Sequence, residues 1–548
     1  MTSSVELSVL QKTAVLGDGN FLLTACPGSG KTTSIAGRVA QLTREAKSVA
    51  LLSYTKIGRD ELTRSIQDQH GVELSSESYV GTIHSFVSRY LVRPFAHILT
   101  GSDLPVRVDQ TAALSFDVQG ADSRMSHYDL SGQLVASFKP LTPTELDKSR
   151  ESRQAAAKEG VVNYDDALYW AYRVIREVPE VVSALAQRFD EVIVDEAQDS
   201  NEVQLAILRE LHDAGLGSLV MVGDFDQTIY AFNGSQPELC KELANDCGLE
   251  HRQLTENYRA SQVLCNTTAK FRQVKTPDQA VGPYRDLQLN PKVILYDPDN
   301  PEQVLTQFST LIGGCGTTIE SSACLARANS LKTLLSGDAD MQLPELGKTV
   351  LRIAEADVPA LLDLRDLEHA VVTRAFGRAA RNLDLDELIL RGMILDLIER
   401  FPSRSGIARD WFGQVDALVD ECATWLSPAL SSPGPKRRLG GDLDPAIQMD
   451  SVLTPTPGKL RIDSIHKTKG ESIDAVMVVA DWPKADWHTP QASTWAGALS
   501  SGSGPSDEEL RILYVAITRA RKLLVIALPN GTTDWVVDAF KSAGFDHV

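Results

Sequence analysis

The sequence predicts an α/β protein of two domains, each built on a parallel sheet with helices on both faces and each interrupted by a mainly helical insertion. Three observations carry this. Short β-branched runs followed by helical patterns recur: "FLLTA", "SVALLSYT", "EVIVDE" and "SLVMVGD", then "PKVILYD", "AVMVVAD" and "KLLVIAL". Wholly apolar runs of this kind suit strands buried on both faces of a parallel sheet. The runs form two groups, one ending near Asp224 and one starting near Pro291. Finally, 548 residues exceed what one ordinary core organises.

Taken in order, the first domain is expected over 1–88 and 163–275, with an insertion at 89–162 that is mixed and polar and contains helical pieces such as "TPTELDKSRESRQAAAKEG". The second domain is expected over 276–343 and 458–548. Its insertion, 344–457, carries acidic amphipathic helices ("VPALLDLRDLEHAVVTRAF", "DLDELILRGMILDLIERF") and ends in the breaker-rich loop "LSPALSSPGPKRRLGGDLDP". "LSSGSGPSDEEL" reads as a loop, and the tail "TTDWVVDAFKSAGFDHV" as one short amphipathic helix and a stub.

The apolar fraction of 43% and charged fraction of 23% are those of a globular protein. No apolar stretch reaches the length of a membrane span, so no membrane role is expected. "MTSSVELSVLQK" lacks the pattern of a secretion signal, and a cytoplasmic location is expected. Seven scattered cysteines without C-x-x-C spacing indicate neither a disulfide framework nor a zinc or iron–sulfur module. A net charge of −19 argues against a general coating of nucleic acid but leaves room for a local basic channel.

The chemistry begins at "TACPGSGKTT". Ala25, Cys26, Pro27, Gly28, Ser29, Gly30, Lys31, Thr32 and Thr33 match a phosphate-binding loop, with Ala25 where the general pattern has glycine. The stretch follows an apolar strand and opens a helix, so Gly28 and Gly30 can turn backbone N–H groups onto phosphate oxygens at a helix N-terminus. Lys31 would reach the β- and γ-phosphates, and Thr32 would ligate Mg²⁺. "EVIVDEAQDS" supplies the partner acids at the end of another strand: Asp195 for the metal and Glu196 to polarise the attacking water. The combination reads as a nucleoside triphosphatase site.

Further stretches follow in a fixed order. "LSVLQKTAVL" precedes the loop; after it come "LLSYTKIGRDEL", "GTIHSF", "DEAQDS", "VGDFDQTIYAFNG", "LTENYRA", "ACLARAN", "DSIHKTKGES" and "DEELRILYVAITRAR". In this order the chain resembles superfamily 1 helicases of the UvrD/Rep type, over both α/β domains from Gln11 to about Leu528 but not over the insertions. The resemblance implies two RecA-like P-loop NTPase domains that use ATP and Mg²⁺ to move along single-stranded DNA, 3′ to 5′. It further implies that Gln11 bonds the adenine edge, that Tyr258 stacks on its face, and that Gln227 senses the γ-phosphate. Arg259 and Arg519 would be arginine fingers, supported by Arg511. Tyr54, Tyr230 and Phe232 align with base-stacking positions, and Thr55, Thr82, His84, Arg327 and His466 with residues that touch the strand backbone.

The chain departs from the family in three places. "AFNG" has Phe232 and Asn233 where Trp-Arg is common, which keeps a stacking ring and removes a cation. "KGES" has Glu471 directly after Gly470, one place earlier than the usual acid, so Glu471 or Ser472 would meet the ribose. Both insertions are short, which favours translocation over autonomous unwinding. Nothing after "KLLVIALPNG" resembles a nuclease. The resulting expectation is an ATP-dependent DNA helicase or translocase acting on single-stranded and tailed duplex DNA in repair or genome maintenance, with a nuclease or repair protein as possible partner. The alternative is a DNA-stimulated motor component of a nuclease-containing anti-phage complex, which compact UvrD-like chains of the Gabija kind resemble. A nucleic-acid-binding scaffold with a dead ATPase would require damage at Lys31, Asp195, Glu196, Arg259 or Arg519, and all five are intact.

Overall fold

The computed structural model describes residues 7–54, 56–109, 113, 116–117, 125–137, 140–229, 236–272, 275–327, 331, 335, 345–356, 361–376, 387–426, 439–440, 449, 460–481, 491–501 and 508–548. Two six-stranded sheets dominate it. The first is made of β1 (Phe21–Ala25), β2 (Val49–Ser53), β3 (Tyr79–Thr82), β4 (Glu191–Asp195), β5 (Leu219–Gly223) and β6 (Glu250–Leu254), in the order β6-β1-β5-β4-β2-β3. The second contains β7 (Lys292–Tyr296), β8 (Ser322–Ala326), β9 (Arg461–Ser464), β10 (Ile473–Val479), β11 (Ala520–Pro529) and β12 (Asp546–His547), in the order β9-β8-β10-β11-β7-β12.

The apolar runs become the inner strands because they bury both faces: β2, β4, β5 and β10 are buried along their whole length. Parallel register, such as Phe21 opposite Val220 and Val192 opposite Leu219, brings the C-terminal ends of β1, β4 and β5 to one edge. Loops leaving that edge carry the candidate chemistry, the usual place for a ligand in open parallel sheets. The helix Lys31–Arg44 packs Ile35, Val39 and Leu42 beneath β1. Its buried Arg38 forms a bidentate pair with Glu191 at the start of β4, both bonds 2.5 Å.

Edge strands were less legible. β6, "EHRQL", is mostly exposed, and the two-residue β12 turns the C-terminal stub into a sheet edge beside β7, with Lys292 Nζ 2.6 Å from Asp546 Oδ2. The region 89–162 carries, besides the helix Pro143–Lys158, a parallel pair of Arg107–Val108 with Val161–Val162 and a hairpin of Ser126–Tyr128 with Leu134–Ala136. Met1–Lys332 with Ile462–Val548 forms one compact unit, which holds both sheets. Thr333–Arg461 forms another, in which the helices Glu345–Glu355, Leu361–Phe376, Glu387–Glu399 and Ala408–Leu426 enclose a core that includes Val350, Leu367, Trp411 and Val415. No helix among the described residues is long and apolar enough to cross a membrane.

Candidate active site

Between the two sheets lies a cavity of about 650 Å³ that draws its walls from both. The first sheet contributes the loop between β1 and the helix Lys31–Arg44. Gly28 has φ 74°, and a Cβ there would lie 2.5 Å from Arg259 Cβ, so only glycine fits. Gly30, the N-cap, is also left-handed at φ 73° and offers no side-chain hydrogen bond to the helix. The first-turn N–H groups therefore remain available to an anion, and the buried Ser29 hydroxyl has no partner. This donor set fits a phosphate. Ala25 ends β1, Pro27 accepts a 2.8 Å bond from Asn257, and Cys26, whose thiol burial pushes well up, leans its sulfur on the Glu256 carbonyl. Thr32 and Thr33 line the cavity at the helix start.

β4 delivers the acids. Asp195 is its buried last residue, and Glu196 follows at φ 55°, a left-handed conformation that costs a non-glycine residue energy and turns its carboxylate into the cleft. Lys31 Nζ stands 3.4 Å from Asp195 Oδ1 and is hydrogen-bonded to Glu196 Oε1. Burial opposes the Lys31 charge, but Asp195 and Glu196 outweigh it and hold the ammonium pKa above its ordinary value. Burial likewise works against ionised Glu196, yet the charges of Lys31 and Lys469 hold its pKa down at about 2. Burial raises Asp195 despite Lys31, lifts Asp199 to about 6, and lifts Asp224 to about 7 with help from Asp226. Asp224 Oδ2 is buried without a hydrogen-bond donor, Asp195 Oδ1 has only the 3.4 Å contact of Lys31, and such hard oxygens fit a divalent cation.

The second sheet answers with cations. Lys469, on the turn before β10, reaches Asp199 Oδ2 at 2.5 Å and Glu196 Oε2 at 3.9 Å. Arg519, just before β11, donates to Gln227 Oε1 at 2.9 Å and is held by the carbonyls of Val515 and Glu471. Arg259 of the first domain donates to the Thr518 carbonyl at 2.9 Å. Burial depresses both guanidinium pKa values, Arg259 to about 9 with the added repulsion of Arg519, and Arg519 to about 10. Arg259 and Arg519 thus face the pocket around Lys31.

At the outer end, Tyr258 is 36% exposed, its N–H on the Gly28 carbonyl at 2.8 Å. Tyr284 also lines the cavity, with Lys522 Nζ 4.7 Å above its ring. Gln11 stands beside Gly30 and Tyr258. It is buried beneath the loop, its Oε1 accepting from Ser8 N–H and its Nε2 donating to the Ser29 carbonyl, because it completes the capping box of the helix Val9–Val15. Ser472, rather than Glu471, lines the cavity, and the Glu471 carbonyl serves Arg519.

The residues expected on a DNA track are less gathered. Thr55, Tyr230, Phe232 and Asn233 lie outside the described residues. Tyr54 ends half-buried after β2, Thr82 caps the helix Ile83–Val87, and His84 packs edge-on against Tyr164 with ring centroids 6.1 Å apart. Arg327 is ion-paired with Glu509, Arg511 lies on the helix Glu508–Ile517, and His466 lines the cavity itself, its pKa lowered by burial and by Arg327. Sequence reading did not single out Lys469 and Tyr284, which line the cavity, or the exposed Tyr164 beside His84. A lysine directly before a loop glycine was a signal for the first, and the 53% exposure of Tyr164 is visible only in three dimensions.

A family profile of the UvrD/REP helicase N-terminal domain matches residues 7–149 and 144–248, and one of the UvrD-like helicase C-terminal domain matches 447–531. The chain is 26% identical to the ATP-dependent DNA helicase UvrD1 of Mycobacterium leprae over 375 residues, 60% of this chain and 48% of that protein. It is 26% identical to DNA helicase II of Escherichia coli over 266 residues, 44% and 36% of the two chains. It is 26% identical to the ATP-dependent DNA helicase SRS2 of Saccharomyces cerevisiae over 318 residues, 48% and 26%. The matches thus span about half or less of the length of these curated relatives.

Proposed function

Because this chain belongs to the UvrD/REP superfamily 1 helicases, we propose that it hydrolyses ATP to move along single-stranded DNA in the 3′-to-5′ direction and separates tailed duplexes in DNA repair or genome maintenance. The observation that carries this is the cross-cleft contact of Arg519 with Gln227, which links the arginine of one sheet to the γ-phosphate sensor of the other.

In this reading the loop Cys26–Gly30 and Lys31 seat the triphosphate, drawing Lys31 off Glu196. Thr32 and Asp195 would hold Mg²⁺, which when bound neutralises charge on the phosphate oxygens. Glu196, released from Lys31, accepts a proton from the attacking water. Arg259 and Arg519 place positive charge where the transferring phosphoryl group becomes more anionic. Since they act only when the lobes meet, hydrolysis is tied to closure, and loss of phosphate releases it. Tyr54 and Tyr164 offer rings for bases, and Thr82 and His84 offer polar groups for the strand.

The test is ATP turnover with single-stranded DNA, single-stranded RNA and duplex, followed by unwinding of 3′- and 5′-tailed substrates. Stimulation by single-stranded DNA and a preference for the 3′ tail are expected. Equal unwinding from both tails would remove the polarity, and turnover indifferent to DNA would remove the motor.

A further inference from the structure

The outer end of the cleft holds a carboxylate without a task in the chemistry above. Glu256 lies on the short strand Glu256–Asn257, two residues before Tyr258. One of its oxygens, Oε2, accepts two hydroxyls: Ser8 Oγ at 2.6 Å and the Tyr258 hydroxyl at 2.8 Å. Ser8 is the N-cap of the helix Val9–Val15. Its Oγ also accepts the Gln11 N–H at 3.1 Å, and its own N–H donates to Gln11 Oε1 at 3.0 Å. The Ser8 hydroxyl therefore spends its proton on Glu256 and a lone pair on Gln11.

This arrangement joins two segments 248 positions apart in sequence. The backbone of Tyr258 is pinned by Gly28, but its ring is partly exposed, and the tie at the phenol end restricts where the ring face can point. Both hydroxyls converge on the same oxygen, so the carboxylate fixes Ser8 and the phenol end of Tyr258 relative to one another. Removing the carboxylate leaves the Ser8–Gln11 capping box intact, so the helix has its own support.

We propose that Glu256 is the positioning residue of the nucleobase pocket, one carboxylate oxygen orienting both the ring of Tyr258 and the capped segment that carries Gln11. The inference rests on reading the cleft as an ATP site. It deepens that reading by assigning base affinity, as distinct from phosphate affinity, to a residue that touches neither base nor phosphate.

The experiment measures binding of ADP and of inorganic tripolyphosphate by calorimetry, with KM and kcat for basal ATP turnover, in the full chain. Glu256→Leu should weaken ADP about tenfold and raise KM similarly, leaving tripolyphosphate affinity and kcat within about twofold. Glu256→Gln, whose amide oxygen can take the same two hydroxyls, should stay near wild type. Tyr258→Phe should lose about threefold on ADP, and adding it to Glu256→Leu should cost nothing further, because the bond it removes is already gone. Should Glu256→Leu fail to fold, Glu256→Gln and Tyr258→Phe still decide. Equal weakening of ADP and tripolyphosphate, unchanged ADP affinity, or a Glu256→Gln as impaired as the leucine variant would each overturn the proposal. Failure of the motor reading shows differently: turnover would ignore DNA while the ADP–tripolyphosphate split persists. A wild type that binds neither ligand would overturn both.

Discussion

The two sheets of the larger unit are alike in architecture and opposite in chemistry. The first places Asp195, Glu196, Asp199 and Asp224 around Lys31, an excess of buried acid beside a phosphate cradle. The second brings Lys469, Arg519 and Arg521 to the same cavity. Neither half is balanced alone. Lys469 compensates Asp199, and Arg519 satisfies Gln227, so the cations of one sheet settle on the polar groups of the other. On the proposed reading, the difference teaches how a binding lobe and a triggering lobe would divide one reaction: the first would hold a nucleotide, and the second would decide whether it is cleaved.

The widest separation between the lobes should come from Arg519→Ala, which is expected to lower turnover by about 10³-fold or more while ADP affinity stays nearly constant. Lys31→Ala, by contrast, should lose both. If Arg519→Ala lost nucleotide binding as fully as Lys31→Ala, the division between lobes would be wrong. Within the first lobe, Glu196→Gln should keep ATP binding and slow the single-turnover rate by about 10²- to 10⁴-fold, and robust turnover there would deny it the proton-accepting role.

The smallest effect sharpens the electrostatic side. Asp224 is buried, and its pKa rises from 3.8 to about 7. Between those values the folded protein keeps a proton that the unfolded chain has released, so stability falls as pH rises through that window and stays lower above it. Asp224→Asn carries no such loss. Its melting temperature relative to wild type should be flat below about pH 4, climb by several degrees toward pH 7 and level off, within a ceiling of ~4 kcal/mol. A difference independent of pH would show that the carboxyl is not the cause.

Much of this was legible in the residues. "ACPGSGKTT" and "EVIVDE" declare their roles locally, since a glycine-rich turn between strand and helix has few other uses, and a buried strand must end where its acids meet solvent or ligand. β6 and β12 escaped because edge strands need only one buried face and one partner, so their sequences carry little apolar signal. Gln11 was placed by its motif on the adenine edge; its side chain also completes a helix cap and holds the Ser29 carbonyl, contacts that no local pattern announces. His466 stands at the cavity because the turn Ile465–Thr468 that carries it feeds directly into the cleft.

The sequence by itself determined the family and the α/β class and marked the candidate phosphate cradle and its acids, all properties of contiguous residues. Only the tertiary structure decided which distant groups meet. Lys469 and Asp199 lie 270 positions apart, and Arg519 and Gln227 lie 292 apart. No local pattern specifies such pairs; they follow from how parallel strands order themselves in each sheet and from how the two sheets face one cavity, where unpaired buried charge is too costly to leave alone.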